Sequence, residues 1–199
     1  MESLAECLAT QDLMRERFEV LRQTLSEPLL SEVEDLKNLA IHSLEEKAVS
    51  IEAGEDSTNE SLRFPQIFNA LYQLLETSDF SESLNEAELC YLASLSESLN
   101  EAELCYLASL SIPRKFLSGL FKIAILNEYP KLEEILLTAN HSLKINPDWL
   151  LGAVKTRNKS VIRRICDVCD YITISRARAS ACEEIDKYFV IAFSNVNHG

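Results

Sequence analysis

The sequence predicts an all-α fold, made of short helical hairpins that either stack as an α-solenoid or gather into a compact helical bundle. Three observations carry this expectation. Only four glycines and five prolines punctuate 199 residues, too few for the tight turns of a many-stranded sheet. Leu, Glu and Ala, all good helix formers, are abundant. Apolar residues recur at three- and four-residue spacing along most of the chain, the period of an amphipathic helix.

From Asp12, the run DLMRERFEVLRQTL places Leu13, Met14, Phe18, Leu21 and Leu25 on one apolar stripe, and Pro28 is expected to end that helix. The next run, SEVEDLKNLAIHSLEEKAVSI, opens on Ser31 with Glu34 three residues on, the spacing of a capping box. Its stripe is Val33, Leu36, Ala40, Leu44 and Ala48. Residues 1–51 therefore read as an N-terminal helical hairpin. Residues 52–63 read as an acidic linker, because EAGEDSTNES holds four acids and no large apolar side chain to offset its ordering entropy.

Residues 64–199 read as a second helical domain. It starts on FPQIFNALYQLLETS, where Pro65 suits a first helical turn and Ile67, Phe68, Leu71, Leu74 and Leu75 make the apolar face. Further helices are expected near 113–127, 130–139, 147–156, 159–169 and 176–193. Tyr171–Ser175 is locally β-like but too isolated to imply a sheet.

Inside this domain the phrase SESLNEAELCYLASL, residues 81–95, recurs without a difference at 96–110. Ser83 with Glu86, and Ser98 with Glu101, have capping spacing, so each copy should form its own helix, at about 86–95 and 101–110. The expected buried stripes are Leu89, Leu92, Ala93 and Leu104, Leu107, Ala108. Fifteen residues at about 100° each overshoot four turns by about 60°, so one continuous helix would turn the second stripe away from the first. A break within Ser94–Asn100 is expected instead. Natural repeats differ at most positions because packing constrains only a few of them. Full identity therefore points to a tandem sequence duplication of engineered or recent origin, with one copy in the parental site and the other surplus.

Charge separates the chain into unlike parts. Residues 1–62 hold 15 acids and 5 bases, 63–110 hold 8 and 1, and 111–199 hold 9 and 13. An acidic half repels nucleic acid, whose affinity rests on phosphate neutralisation, so no nucleic-acid partner is expected. No apolar run approaches the roughly 20 residues of a transmembrane segment. Glu2 and Glu6 stand where a leader would be basic, and the thiols form no disulfide framework, which together predict a reducing, cytoplasmic location.

The residues offer no catalytic pattern, and neither a cofactor nor a metal is expected. His42, His141 and His198 are scattered, and the glycines are too far apart to cradle a phosphate. Cys166 and Cys169 form a single CxxC without the second ligand pair that zinc needs, so two helical neighbours in a core are the expectation. The basic run Arg157, Lys159, Arg163 and Arg164 is the candidate partner-binding patch, suited to another protein with an acidic surface.

Two stretches, IAILNEYPKLEEILLTA from Ile123 and GAVKTRNKSVIRRICDVCDYIT from Gly152, resemble ankyrin repeats in degenerate form. Ala124 corresponds to Ala153, Leu132 to Val161 and Leu136 to Ile165, at an offset of 29 residues. The resemblance implies helix pairs that approach closely at the alanines and work by binding protein, as an adaptor, regulator or effector. A second resemblance lies in SLNEAELCYLASL followed by IPRKFL. It is similar to the second-helix region of the death-effector fold, with Glu103–Leu104 as the acidic-leucine pair, and implies a death-fold signalling module. A helical enzyme and an anionic-lipid binder are the remaining alternatives.

Overall fold

A computed structural model describes residues 3–53, 62–78 and 84–139. Among them stand seven helices and no strand: α1 (Leu4–Arg22), α2 (Glu27–Ala53), α3 (Phe64–Glu76), α4 (Glu86–Ser98), α5 (Glu101–Ser109), α6 (Arg114–Leu126) and α7 (Pro130–Ala139). The chain is all-α. It divides into two compact units, Met1–Phe116 and Leu117–Gly199.

In the first unit α1 and α2 form a hairpin, joined by residues 23–26, and α3 packs on both. The hairpin begins earlier than the apolar stripe from Asp12 suggests. Ser3 caps α1: its hydroxyl accepts from the Glu6 amide at 3.3 Å, and the Glu6 carboxylate accepts from the Ser3 amide at 2.6 Å. The face turned inward is Cys7, Gln11, Met14, Phe18 and Leu21. Polar Gln11 interrupts that row in the sequence, whereas Leu13 lies off it and is 41% exposed. Leu25 falls in the connection, half buried.

Pro28 does not stop α1, which ends at Arg22; it sits in the first turn of α2, where its missing N–H would have had no helical acceptor. Ser31 accordingly lies inside α2 and not at its cap. The stripe Val33, Leu36, Ala40, Leu44 and Ala48 is buried, extended by Leu29. In α3 the proline stands in the first turn, and Ile67, Phe68, Leu71 and Leu74 are buried with Ala70 and Tyr72, while Leu75 is only half buried.

The two copies form α4 and α5, each with its own capping box. The caps are Asn85 with Glu88 and Asn100 with Glu103, two residues beyond the Ser83–Glu86 and Ser98–Glu101 frames. Asn is at least as good an N-cap as Ser, and this frame turns the third-position glutamate inward, where a base meets it. The break falls at Leu99–Asn100, with Leu99 extended at φ −115°, ψ 139°. Identical sequences are buried unequally. Leu104, Leu107 and Ala108 are buried in the second copy, whereas in the first Leu92 is buried, Leu89 half buried and Ala93 exposed.

Residues 117–139 represent the second unit, with Leu120, Phe121, Ala124, Leu132 and Leu136 buried. α6 ends in a Schellman motif: the Tyr129 amide donates to the Ala124 carbonyl at 2.8 Å and the Glu128 amide to that of Ile125 at 3.4 Å. The motif needs a left-handed residue, and Glu128 supplies it at φ 56°. A Cβ in that region costs about 1–2 kcal/mol, partly offset by the extra backbone entropy a glycine loses. Glu128→Gly is therefore expected to stabilise this unit by about 0.5–1 kcal/mol, read as a higher urea midpoint with an unchanged slope. The helices expected at 147–156, 159–169 and 176–193, and the β-like Tyr171–Ser175, lie outside the described residues.

Candidate functional site

Arg157, Lys159, Arg163 and Arg164 lie outside the described residues, as do Cys166, Cys169, His141 and His198. His42 is on the exposed side of α2, 3.4 Å from Glu46. Among the described residues no group of His, Cys, Asp or Glu is placed to hold a metal ion. The concentrated chemistry is a set of charged contacts around α4 and α5, with exposed apolar side chains on α1 and α2.

Glu103 begins at the first turn of α5 as a capping residue, accepting from the Asn100 amide at 2.9 Å. It is fully buried and receives Arg63, at the N-cap of α3, in three further bonds: from Nε at 2.7 Å, Nη2 at 2.6 Å and the backbone amide at 3.2 Å. The same Nη2 donates to the Ser98 carbonyl at 2.9 Å, so one guanidinium ties the end of α4 and the start of α5 to α3. Burial pushes the Glu103 carboxyl upward, but the Arg63 and backbone hydrogen bonds and the Arg63 charge outweigh it and hold it below the ordinary value.

Glu88 occupies the equivalent place in α4 and meets a different base. It accepts from the Asn85 amide at 2.9 Å and from Lys115 Nζ at 2.6 Å, with the two side chains 0% and 4% exposed. The same glutamate, fifteen residues apart, thus anchors one copy to α3 and the other to the first turn of α6.

The two tyrosines diverge in the same way. Tyr106 meets the Phe64 ring edge-on at 5.6 Å, and burial, followed by the charges of Asp35 and Glu32, pushes its hydroxyl up. Tyr91 donates to the Ala70 carbonyl at 3.5 Å, and burial, opposed by Arg17, pushes its hydroxyl up to about 12. Beyond α5, Ser111 binds Glu32 of α2 through its amide at 2.6 Å and its hydroxyl at 2.9 Å.

Arg17 connects α1 to α3, donating to Asn69 at 2.7 Å and lying 4.8 Å from the Tyr72 ring centroid. Several large apolar side chains stay in solvent: Leu8 (52%) and Val20 (48%) on α1, and Leu39 (40%) and Val49 (66%) on α2. Every fully buried side-chain nitrogen or oxygen among the described residues has a hydrogen-bond partner. Glu88 and Glu103 therefore work as anchors, each held by a cation and a backbone amide.

Sequence reasoning did not single out Arg63, Glu88 or Lys115, and it noted Glu103 only as half of the acidic-leucine pair. Two signals were present: the repeated Asn-x-x-Glu spacing, and Arg63 as the one base in residues 63–110. Fold and contacts define an all-α protein held together by capped, ion-paired helices. No protein-family model matches the chain, and no curated protein or solved structure matches it. Among the described residues no helix is long and apolar enough to cross a membrane.

Proposed function

We propose that this chain is a protein–protein interaction module that acts in the cytoplasm, without catalysis, as an adaptor, regulator or effector. The observation that supports this reading most directly is the set of large apolar side chains left in solvent on the α1–α2 hairpin, Leu8, Val20, Leu39 and Val49. Each of these side chains offers a covering partner an apolar contact beside the buried stripes of α1 and α2. The basic run Arg157, Lys159, Arg163 and Arg164 adds a charged patch that would hold an acidic surface of the partner.

The test compares the full chain with a variant in which these four bases are changed to Glu, each used as bait in a lysate. A partner retained stoichiometrically by the parent chain and lost by the variant, together with equal weak retention of both on anionic liposomes, is the expected result. Loss of liposome retention on Arg163→Glu and Arg164→Glu, without any protein partner, would replace this reading with lipid binding.

A further inference from the structure

We propose that the α5 site is open to either copy, so that the chain exchanges between the observed register and a second one in which residues 81–95 replace residues 96–110 against Arg63. Every side chain seated there has an equal fifteen residues upstream: Glu88 for Glu103, Leu89 for Leu104 and Leu92 for Leu107. The Asn85–Glu88 capping box is already formed like that of Asn100–Glu103, so the first copy can move as a folded helix.

The chain is long enough for the move. Arg63 caps α3 and binds the first turn of α5, so the α5 site starts beside the N-terminus of α3. The thirteen residues of α3 rise roughly 20 Å. Residues 77–85 extend to roughly 30 Å, which spans that distance without α4 between. On the far side the displaced second copy lengthens the connection to Ser111, and loop-closure entropy grows only logarithmically with length.

The observed register dominates because it also keeps the Glu88–Lys115 pair and the burial of Leu92 and Leu95 in α4. The second register vacates the α4 place, breaks the Glu88–Lys115 pair and releases residues 96–110, so that Leu104 and Leu107 lose their burial. Whatever captures the released copy shifts the population toward it, by no more than its preference for that state.

The test uses the full chain carrying Leu104→Asp and Leu107→Asp, which bars the second copy from the site. The expected result is a chain that keeps cooperative, helical folding because the first copy has moved in. In that background a double-mutant cycle of Arg63→Ala with Glu88→Gln should show a coupling of about tenfold or more in the folding constant. In the parent background the same cycle should show none, because Glu88 lies ten residues up α4 from Ser98, about 15 Å from the Arg63 contact. The matched chain with Leu92→Asp and Leu95→Asp should keep Arg63 coupled to Glu103. Loss of cooperative folding with Leu104→Asp and Leu107→Asp, or folding without an Arg63–Glu88 coupling, would overturn the proposal.

Discussion

Replacing Lys115 with Met is expected to cost about 3–5 kcal/mol of stability, the usual penalty for leaving one member of a buried ion pair behind. Glu88 has no exposed surface and takes its charge compensation from Lys115 Nζ at 2.6 Å. After the substitution the carboxylate keeps only the bond from the Asn85 amide among its partners in the described residues. Domains of ordinary stability hold about 5–15 kcal/mol in total, so the loss should be plain in a denaturant titration. The double substitution Lys115→Met with Glu88→Gln is expected to recover most of it. Gln keeps the capping box, because its side-chain oxygen can still accept from Asn85, and no charge is left in the core. A single substitution as mild as the double one would show that the pair contributes little. A double substitution as severe as the single one would assign the cost to lost packing of the Lys115 stem.

Arg63→Ala is expected to cost about 2–3 kcal/mol at neutral pH, less than the buried lysine because the guanidinium is 48% exposed and partly screened by water. Arg63→Lys should recover little, since an ammonium cannot reproduce the paired Nε and Nη2 bonds to one carboxylate.

The pH dependence has a definite sign. The Glu103 carboxyl is held below its ordinary value near 4.5, so the unfolded chain takes up its proton first as the pH falls. The stabilisation is therefore fully present above the ordinary carboxylate value and is lost as the pH drops through the lowered folded-state value. As the pH falls below the ordinary carboxylate value of 4.5, the parent chain should lose stability more steeply than the Arg63→Ala chain, and the two curves should converge in acid. Parallel curves from pH 7 to pH 3 would remove Glu103 as the responsible group.

Much of the helical layout was legible because period and caps are local properties. The α2 stripe of Val33, Leu36, Ala40, Leu44 and Ala48 could be read residue by residue, since one face of one helix repeats at a fixed spacing. The start of α1 could not. Its inward face includes Gln11, and a polar residue breaks the pattern although it is buried there. Pro28 was ambiguous by nature, because proline both ends helices and begins them, and it falls in the first turn of α2 because α1 already stops at Arg22. The capping frame of the repeat was ambiguous as well, since Ser-x-x-Glu and Asn-x-x-Glu overlap within four residues and burial of the glutamate selects between them.

By itself the sequence determined the class of the fold, the number and rough extent of the helices up to Ala139, and the certainty that one fifteen-residue phrase had to be accommodated twice. Tertiary structure alone decided that the copies are unequal: Glu103 met Arg63, Glu88 met Lys115, and only the second copy buried Leu104 and Ala108 fully. The physical reason is that two identical segments carry identical local preferences, so whatever distinguishes them comes from the different neighbours each one meets.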